Sequence, residues 1–173
     1  MQIREARNRE DLIRLQGSKY FQADTADTYE TVKQHLGRGK KVLYSGTPCQ
    51  IAGLRNALEK TDVKNLLTIE IICHGVPSPL MFKDYIKWLE AKKKKQISSY
   101  QFRTKKISKR DFQCLIRYTD GNEEIISGFR DPFYKKFMAS VTCREICYEC
   151  PFAQKNRVAD ITSVSYTHLR AHE

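Results

Sequence analysis

The residues of this chain whose type and spacing point most directly to chemistry are its six cysteines, at positions 49, 73, 114, 143, 147 and 150. Cys147 and Cys150 are separated by two residues, a gap that lets both sulfurs turn toward one metal centre, as in zinc and iron–sulfur sites. Two thiols are half of a four-thiolate shell. Cys49 in "SGTPCQ" and Cys73 in "IICHG" supply the other half if the segments that carry them lie side by side. The set Cys49, Cys73, Cys147 and Cys150 then reads as a candidate metal site, against the alternative of ordinary buried thiols. Pro151, directly after the last cysteine, keeps the loop from continuing as helix. Cys143 either replaces one of the four or neighbours them. Cys114 alternates with large apolar residues and reads as a packed core thiol.

The elements needed to bring the first pair together are legible. Val42 to Tyr44 is a short apolar run, followed by a Gly-containing turn and by Ile51, Leu54 and Leu58 at helical spacing. Thr47 is placed to cap that helix and Pro48 to occupy its first turn, so Cys49 sits among backbone amides at the positive end, where a thiol is biased toward thiolate. The pattern repeats with the apolar run Leu66 to Ile72, the turn Cys73-His74-Gly75, Ser78 as cap and Pro79 in the first turn. Phe82, Tyr85, Ile86 and Leu89 form the buried stripe of the second helix. Two successive strand-turn-helix units predict adjacent parallel strands whose turns open at the same edge. Further on, Phe112, Cys114, Ile116 and Tyr118 alternate, and Asp120-Gly121 signals a hairpin. Asp131 and Pro132 then start a third helix that delivers the chain to the cysteine cluster. The predicted fold is α/β: a small mixed sheet with two strand-turn-helix units, an antiparallel hairpin and a C-terminal Cys-rich loop, in a single domain over residues 1–162.

Composition bounds the function classes. The chain has 173 residues, of which 40% are hydrophobic, enough for one sizeable core. "MQIREARNREDLIRLQ" holds no apolar run fit for a signal peptide or a membrane span, so a cytoplasmic protein with no membrane partner is expected. In that compartment close Cys spacing reads as metal binding or catalysis before disulfides. The formal charge is +11, and residues 83 to 110 hold eleven basic residues against Asp84 and Glu90. Such a segment favours an acidic partner, whether nucleic acid, an acidic electron carrier or a phosphorylated cofactor, or it is a solvated helix face. His74 is commonest as a turn residue, with ligand or proton donor as alternatives. His168 and His172 mimic a helical metal pair.

The blocks "GSKYFQAD", "KKVLYSGTPCQIAGLR", "IICHGVPSP", "CYECPFA" and "RVADIT", in this order, resemble the beta subunit family of coenzyme F420 hydrogenases and dehydrogenases over about residues 15–162. The resemblance implies a flavoprotein that holds FAD beside a 4Fe-4S cluster and passes electrons to or from ferredoxin or another iron–sulfur subunit, with coenzyme F420 as a candidate substrate. It places the cluster ligands on Cys49, Cys73, Cys147 and Cys150 and leaves Cys143 out. Flavin contacts are expected at Ser18, Lys19 and Tyr20 and at Gly46, Thr47 and Gln50, where helix-opening amides can meet a phosphate; no side chain need act as nucleophile. The Cys143-x3-Cys147-x2-Cys150 spacing also matches radical S-adenosylmethionine enzymes. However, Glu149 precedes Cys150 where those enzymes usually carry an aromatic residue, and only 23 residues follow. The family typically has more chain before Met1 and a Gly-Asp-aromatic block after Thr162. The segment "SVSYTHLRAHE", residues 163–173, is therefore expected to be a non-native tail on a truncated fragment. A second reading, from another class, is a noncatalytic zinc-binding module whose basic surface holds nucleic acid, a partner the redox reading sets aside.

Overall fold

A computed structural model describes residues 2–104, 106 and 112–164. The pair His168 and His172, residues 165–173 of the closing segment, and Lys105, Lys109 and Arg110 of the basic segment lie outside the described residues. The chain divides into two compact units, one of Ile3–Ala23 with Gly75–Tyr148, the other of Gln2, Asp24–His74 and the residues from Glu149 on.

The second of these is built on parallel strands. β1 (Val42–Gly46) leads into α3 (Pro48–Ala57), and β2 (Leu66–Ile71) lies beside β1 in parallel register, from Val42 opposite Leu66 to Gly46 opposite Glu70. This is the arrangement the repeated strand-turn-helix pattern predicts. A third strand, β6 (Ile161–Ser163), adds in parallel on the free edge of β2, and α2 (Thr28–Gly37) precedes the sheet in sequence. Val32 and Leu36 of α2, Tyr44 of β1, and Ile51, Leu54 and Leu58 are buried. At roughly 1.5–3 kcal/mol per large apolar side chain, this group is the main cohesive term of the unit.

The other unit is antiparallel and aromatic. Its sheet runs in the order β3 (Ile97–Gln101), β4 (Gln113–Tyr118), β5 (Glu123–Ser127), with Asp120 and Gly121 in the β4–β5 turn. The helices are α1 (Arg9–Leu15), α4 (Pro79–Lys93), α5 (Pro132–Met138) and the single turn α6 (Glu145–Tyr148). The caps read from sequence are present: Ser78 accepts from the Met81 amide at 3.2 Å, and Asp131 from the Tyr134 amide at 2.8 Å. The parallel and antiparallel parts thus each form a sheet of their own.

Phe102, Phe133 and Tyr134 centre the aromatic core, with Tyr20, Phe21, Phe82, Tyr85 and Tyr100 packed around them. Cys114 is fully buried there, and burial pushes its thiol up to about 11, as a core cysteine requires. Asp131 is fully buried as well. Besides capping α5, its Oδ2 accepts from the hydroxyls of Tyr85 and Tyr100, the latter at 2.7 Å. Burial, then the neighbouring carboxylate, pushes both phenols up and keeps them as donors. Part of the basic segment is neutralised locally: Lys93 pairs with Glu124 at 2.7 Å, Lys95 with Asp120 at 2.8 Å, and Lys106 with Glu123.

Candidate functional site

Cys49 and Cys73 follow the C-terminal ends of two adjacent parallel strands, the edge at which open α/β sheets place ligands. Cys49 is exposed in the first turn of α3, and its Sγ lies 3.2 Å from the Thr47 hydroxyl. The turn that presents it is tightly specified. The Gln50 side chain folds back so that its Oε1 accepts from the Thr47 amide at 3.0 Å and from the Thr47 hydroxyl at 3.1 Å. A Cβ on Gly46 would stand 3.1 Å from that oxygen, so the residue before the cap is best left without a side chain. Tyr29 braces the helix, donating its hydroxyl to the Gln50 carbonyl at 2.8 Å. Burial raises the Tyr29 phenol to about 12. The Thr47 amide expected to meet a phosphate is thus already engaged, and the buried Gln50 is committed to the cap.

Cys73 is half-buried, and Cys150 opens the segment that returns to the same sheet. That return is fixed by charges within "RVADIT". Arg157 pairs with Glu70, a wholly buried β2 carboxylate that also accepts from the Thr162 hydroxyl at 2.9 Å. Asp160 accepts from the Thr68 amide at 2.8 Å and hydroxyl at 2.7 Å, and pairs with Arg55 of α3 at 2.9 Å. The Thr68 hydroxyl and amide, then Arg55, hold the Asp160 carboxyl below its ordinary value. These residues fix the chain that follows Cys150 onto β2 and α3, and sequence reasoning gave them no role. The signal available was the presence of Arg and Asp in a block otherwise leading into a strand, but their partners on β2 and α3 are 87 to 105 residues away.

Cys143 and Cys147 belong to the other unit, around Gly75. Gly75 has φ +118°, and a Cβ there would sit 2.6 Å from Cys143 Sγ and 3.3 Å from Cys147 Cβ, so the turn after Cys73 requires glycine on two grounds. Arg144 fastens the loop by donating its amide to Val76 O at 3.0 Å, and the Cys147 amide donates to Arg144 O at 2.8 Å. Burial, then the nearby Cys147, raises the Cys143 thiol.

Of the expected flavin contacts in this unit, Ser18 and Lys19 line a cleft of about 430 Å³ with Phe21, Phe82, Tyr100 and Phe102. The Lys19 ammonium donates to the carbonyls of Leu15 at 2.9 Å and Gly17 at 3.1 Å, closing the end of α1, and burial lowers its pKa. Tyr20 instead points its ring into the core, stacked on Phe137 at 4.8 Å.

None of the six cysteines is in a disulfide. Among the described residues no group of three or more His, Cys, Asp or Glu side chains is gathered as for a metal ion. The donor set nevertheless has the chemistry of a thiophilic centre. Cys49, Cys73, Cys147 and Cys150 are partly exposed and sit in loops or first turns, whereas Cys114 is sealed in the core. Among the described residues no helix is long and apolar enough to cross a membrane.

Residues 39–172 match the protein family described as the C terminus of the beta subunit of coenzyme F420 hydrogenase/dehydrogenase. No curated protein matches the chain.

Proposed function

This chain belongs to the family formed by the C-terminal part of coenzyme F420 hydrogenase/dehydrogenase beta subunits, a family of oxidoreductase subunits, and on that premise we propose that it is the electron-transfer part of an iron–sulfur flavoprotein. The family match over residues 39–172 carries the reading. In it, Cys49, Cys73, Cys147 and Cys150 hold a 4Fe-4S cluster, which when bound supplies one-electron transfer at a potential set by its surroundings.

The chain's own residues perform the positioning. The Thr47–Gln50 box presents Cys49 in the first turn of α3, exposed where it can meet a metal centre. Gly75 leaves space for Cys143 and Cys147 beside the turn from Cys73, and the Arg157–Glu70 and Asp160–Arg55 pairs anchor the strand that follows Cys150. Closing of the four ligands is coupled to binding of the metal centre, as in small metal-dependent domains. The flavin contacts are assigned to Ser18 and Lys19, whose cleft has an aromatic wall that suits a flat ring, and to the Gly46–Gln50 turn, where the amides that the capping box leaves can meet a phosphate. Coenzyme F420 is a candidate substrate of the flavin, and ferredoxin or another acidic iron–sulfur subunit meets the lysines of α4.

The test is anaerobic reconstitution of the full chain with iron, sulfide and FAD, read by visible absorbance, electron paramagnetic resonance and metal analysis. The expected product is brown, with about four irons and four sulfides per chain. A colourless chain that takes up one zinc and retards DNA overturns the proposal in favour of a zinc-binding module.

A further inference from the structure

A second cleft, of about 360 Å³, opens in the antiparallel unit. None of the cysteines or expected flavin contacts lines it. Its walls are Met81, Tyr85 and Trp88 of α4, Phe133 and Lys136 of α5, and Thr142. The rings make flat surfaces: Trp88 stacks on Tyr85 with centroids 5.9 Å apart and planes 29° apart, and Phe133 lies 5.3 Å from Tyr85. The Tyr85 hydroxyl is taken up by Asp131, so the ring serves as apolar wall. Trp88 remains 46% exposed and Met81 40%, large apolar area left in water beside a recess. Thr142 is nine-tenths buried, and its hydroxyl has no hydrogen-bond partner among the described residues. A buried hydroxyl in that state calls for an explanation such as a ligand atom. The cleft is lined by one carboxylate, Asp84, and one lysine, the exposed Lys136, while Lys87 pairs with Asp84 at 3.6 Å and Lys92 lies 4.9 Å over the Trp88 ring, so cations outnumber the carboxylate around it.

We propose that this cleft binds a planar aromatic anion. The ring system lies against Trp88, Tyr85 and Phe133, the Met81 thioether meets a ring edge, and the anionic group pairs with Lys136 and the Thr142 hydroxyl. The volume is at the small end for ligand sites, which fits a ring system rather than a whole dinucleotide. A flavin ring with its phosphate and a simpler aromatic acid share this chemistry. The proposal stands whether or not the cysteines hold a cluster.

Trp88 is the only tryptophan of the chain, so its emission reports directly on the cleft. The full chain is titrated with 2-naphthoate, flavin mononucleotide, 2-naphthylmethylammonium and cyclohexanecarboxylate. Saturable quenching by naphthoate is expected, with the ammonium and the non-planar acid at least about tenfold weaker. Lys136→Glu and Met81→Glu, both at exposed positions, should each weaken naphthoate about tenfold or more with an unchanged far-ultraviolet spectrum. If the mononucleotide quenches, competes with naphthoate and loses affinity in the same variants, the natural anion is a flavin; if only naphthoate saturates, it is a smaller aromatic acid. Absence of saturation by either anion, equal binding of the cation, or quenching indifferent to both variants overturns the proposal.

Discussion

Replacing Arg157 by alanine tests how the segment after Cys150 is held. Glu70 is completely buried on β2, and its Oε1 is shared by the Arg157 guanidinium and the Thr162 hydroxyl, while its Oε2 has no partner among the described residues. Removing one partner of a buried ion pair costs about 3–5 kcal/mol because the remaining charge stays buried. The Arg157 side chain is 27% exposed, so water can reach the vacated space, and about 2–4 kcal/mol is the appropriate figure. The natural reporter is hydrogen exchange of the peptide spanning residues 66–71, which carries Glu70 itself. R157A should speed that exchange by roughly 30-fold or more, the factor equivalent to about 2 kcal/mol. The double variant E70Q/R157A, which removes the charge as well, should recover at least half of the loss, and reconstituted iron content should fall in R157A because Cys150 is less firmly placed. Unchanged exchange in R157A, or a double variant as impaired as the single one, would refute the claim that this pair anchors the segment.

Three further outcomes follow from the same structure. Gly75→Ala places a methyl 2.6 Å from Cys143 Sγ at a φ of +118°, and should lower the urea midpoint by an amount equivalent to about 2 kcal/mol or more, read by Trp88 emission. Asp131→Ala removes the α5 cap and the acceptor of two core tyrosine hydroxyls, a loss of about 3 kcal/mol or more, and Tyr85→Phe in that background should restore part of it. Asp160 has a folded pKa below its unfolded value, so its stabilisation is present above the unfolded value and disappears as pH falls through about 4 toward the folded one. The protection of the Thr68 amide, the slowing of its exchange relative to the unstructured-chain rate at the same pH, should therefore fall on acidification through this range, and Asp160→Asn should flatten that dependence.

The parts of this fold that were legible in the sequence are those with local signals. Thr47-Pro48, Ser78-Pro79 and Asp131-Pro132 each pair a capping residue with a first-turn proline, and each starts a helix where expected. Asp120-Gly121 and the alternation from Phe112 to Tyr118 likewise give β4 and β5. What was missed has weak patterning. α1 buries no residue, α2 buries only Val32 and Leu36 among its described positions, and β3 opens "ISS" with two serines. β6 is three exposed residues laddered to β2, with Glu70 accepting from Thr162 within it and Thr68 and Arg55 binding Asp160 just before it. Such long-range pairing has no local signature. The proposed cysteine set rests on spacing and on the order of the blocks around it, whereas the Gly75 contact with Cys143 and Cys147 depends on a positive φ that a Gly-containing turn merely permits.

The most direct test of the central claim is iron and acid-labile sulfide content after anaerobic reconstitution of six single Cys→Ser variants, with the electron paramagnetic resonance signal of the reduced protein as second readout. Cluster loss is predicted for positions 49, 73, 147 and 150, and near-normal content for Cys143→Ser and for any folded Cys114 variant. Full cluster content without Cys49 or Cys73, or loss in Cys143→Ser equal to that in Cys147→Ser, would contradict the four-ligand assignment.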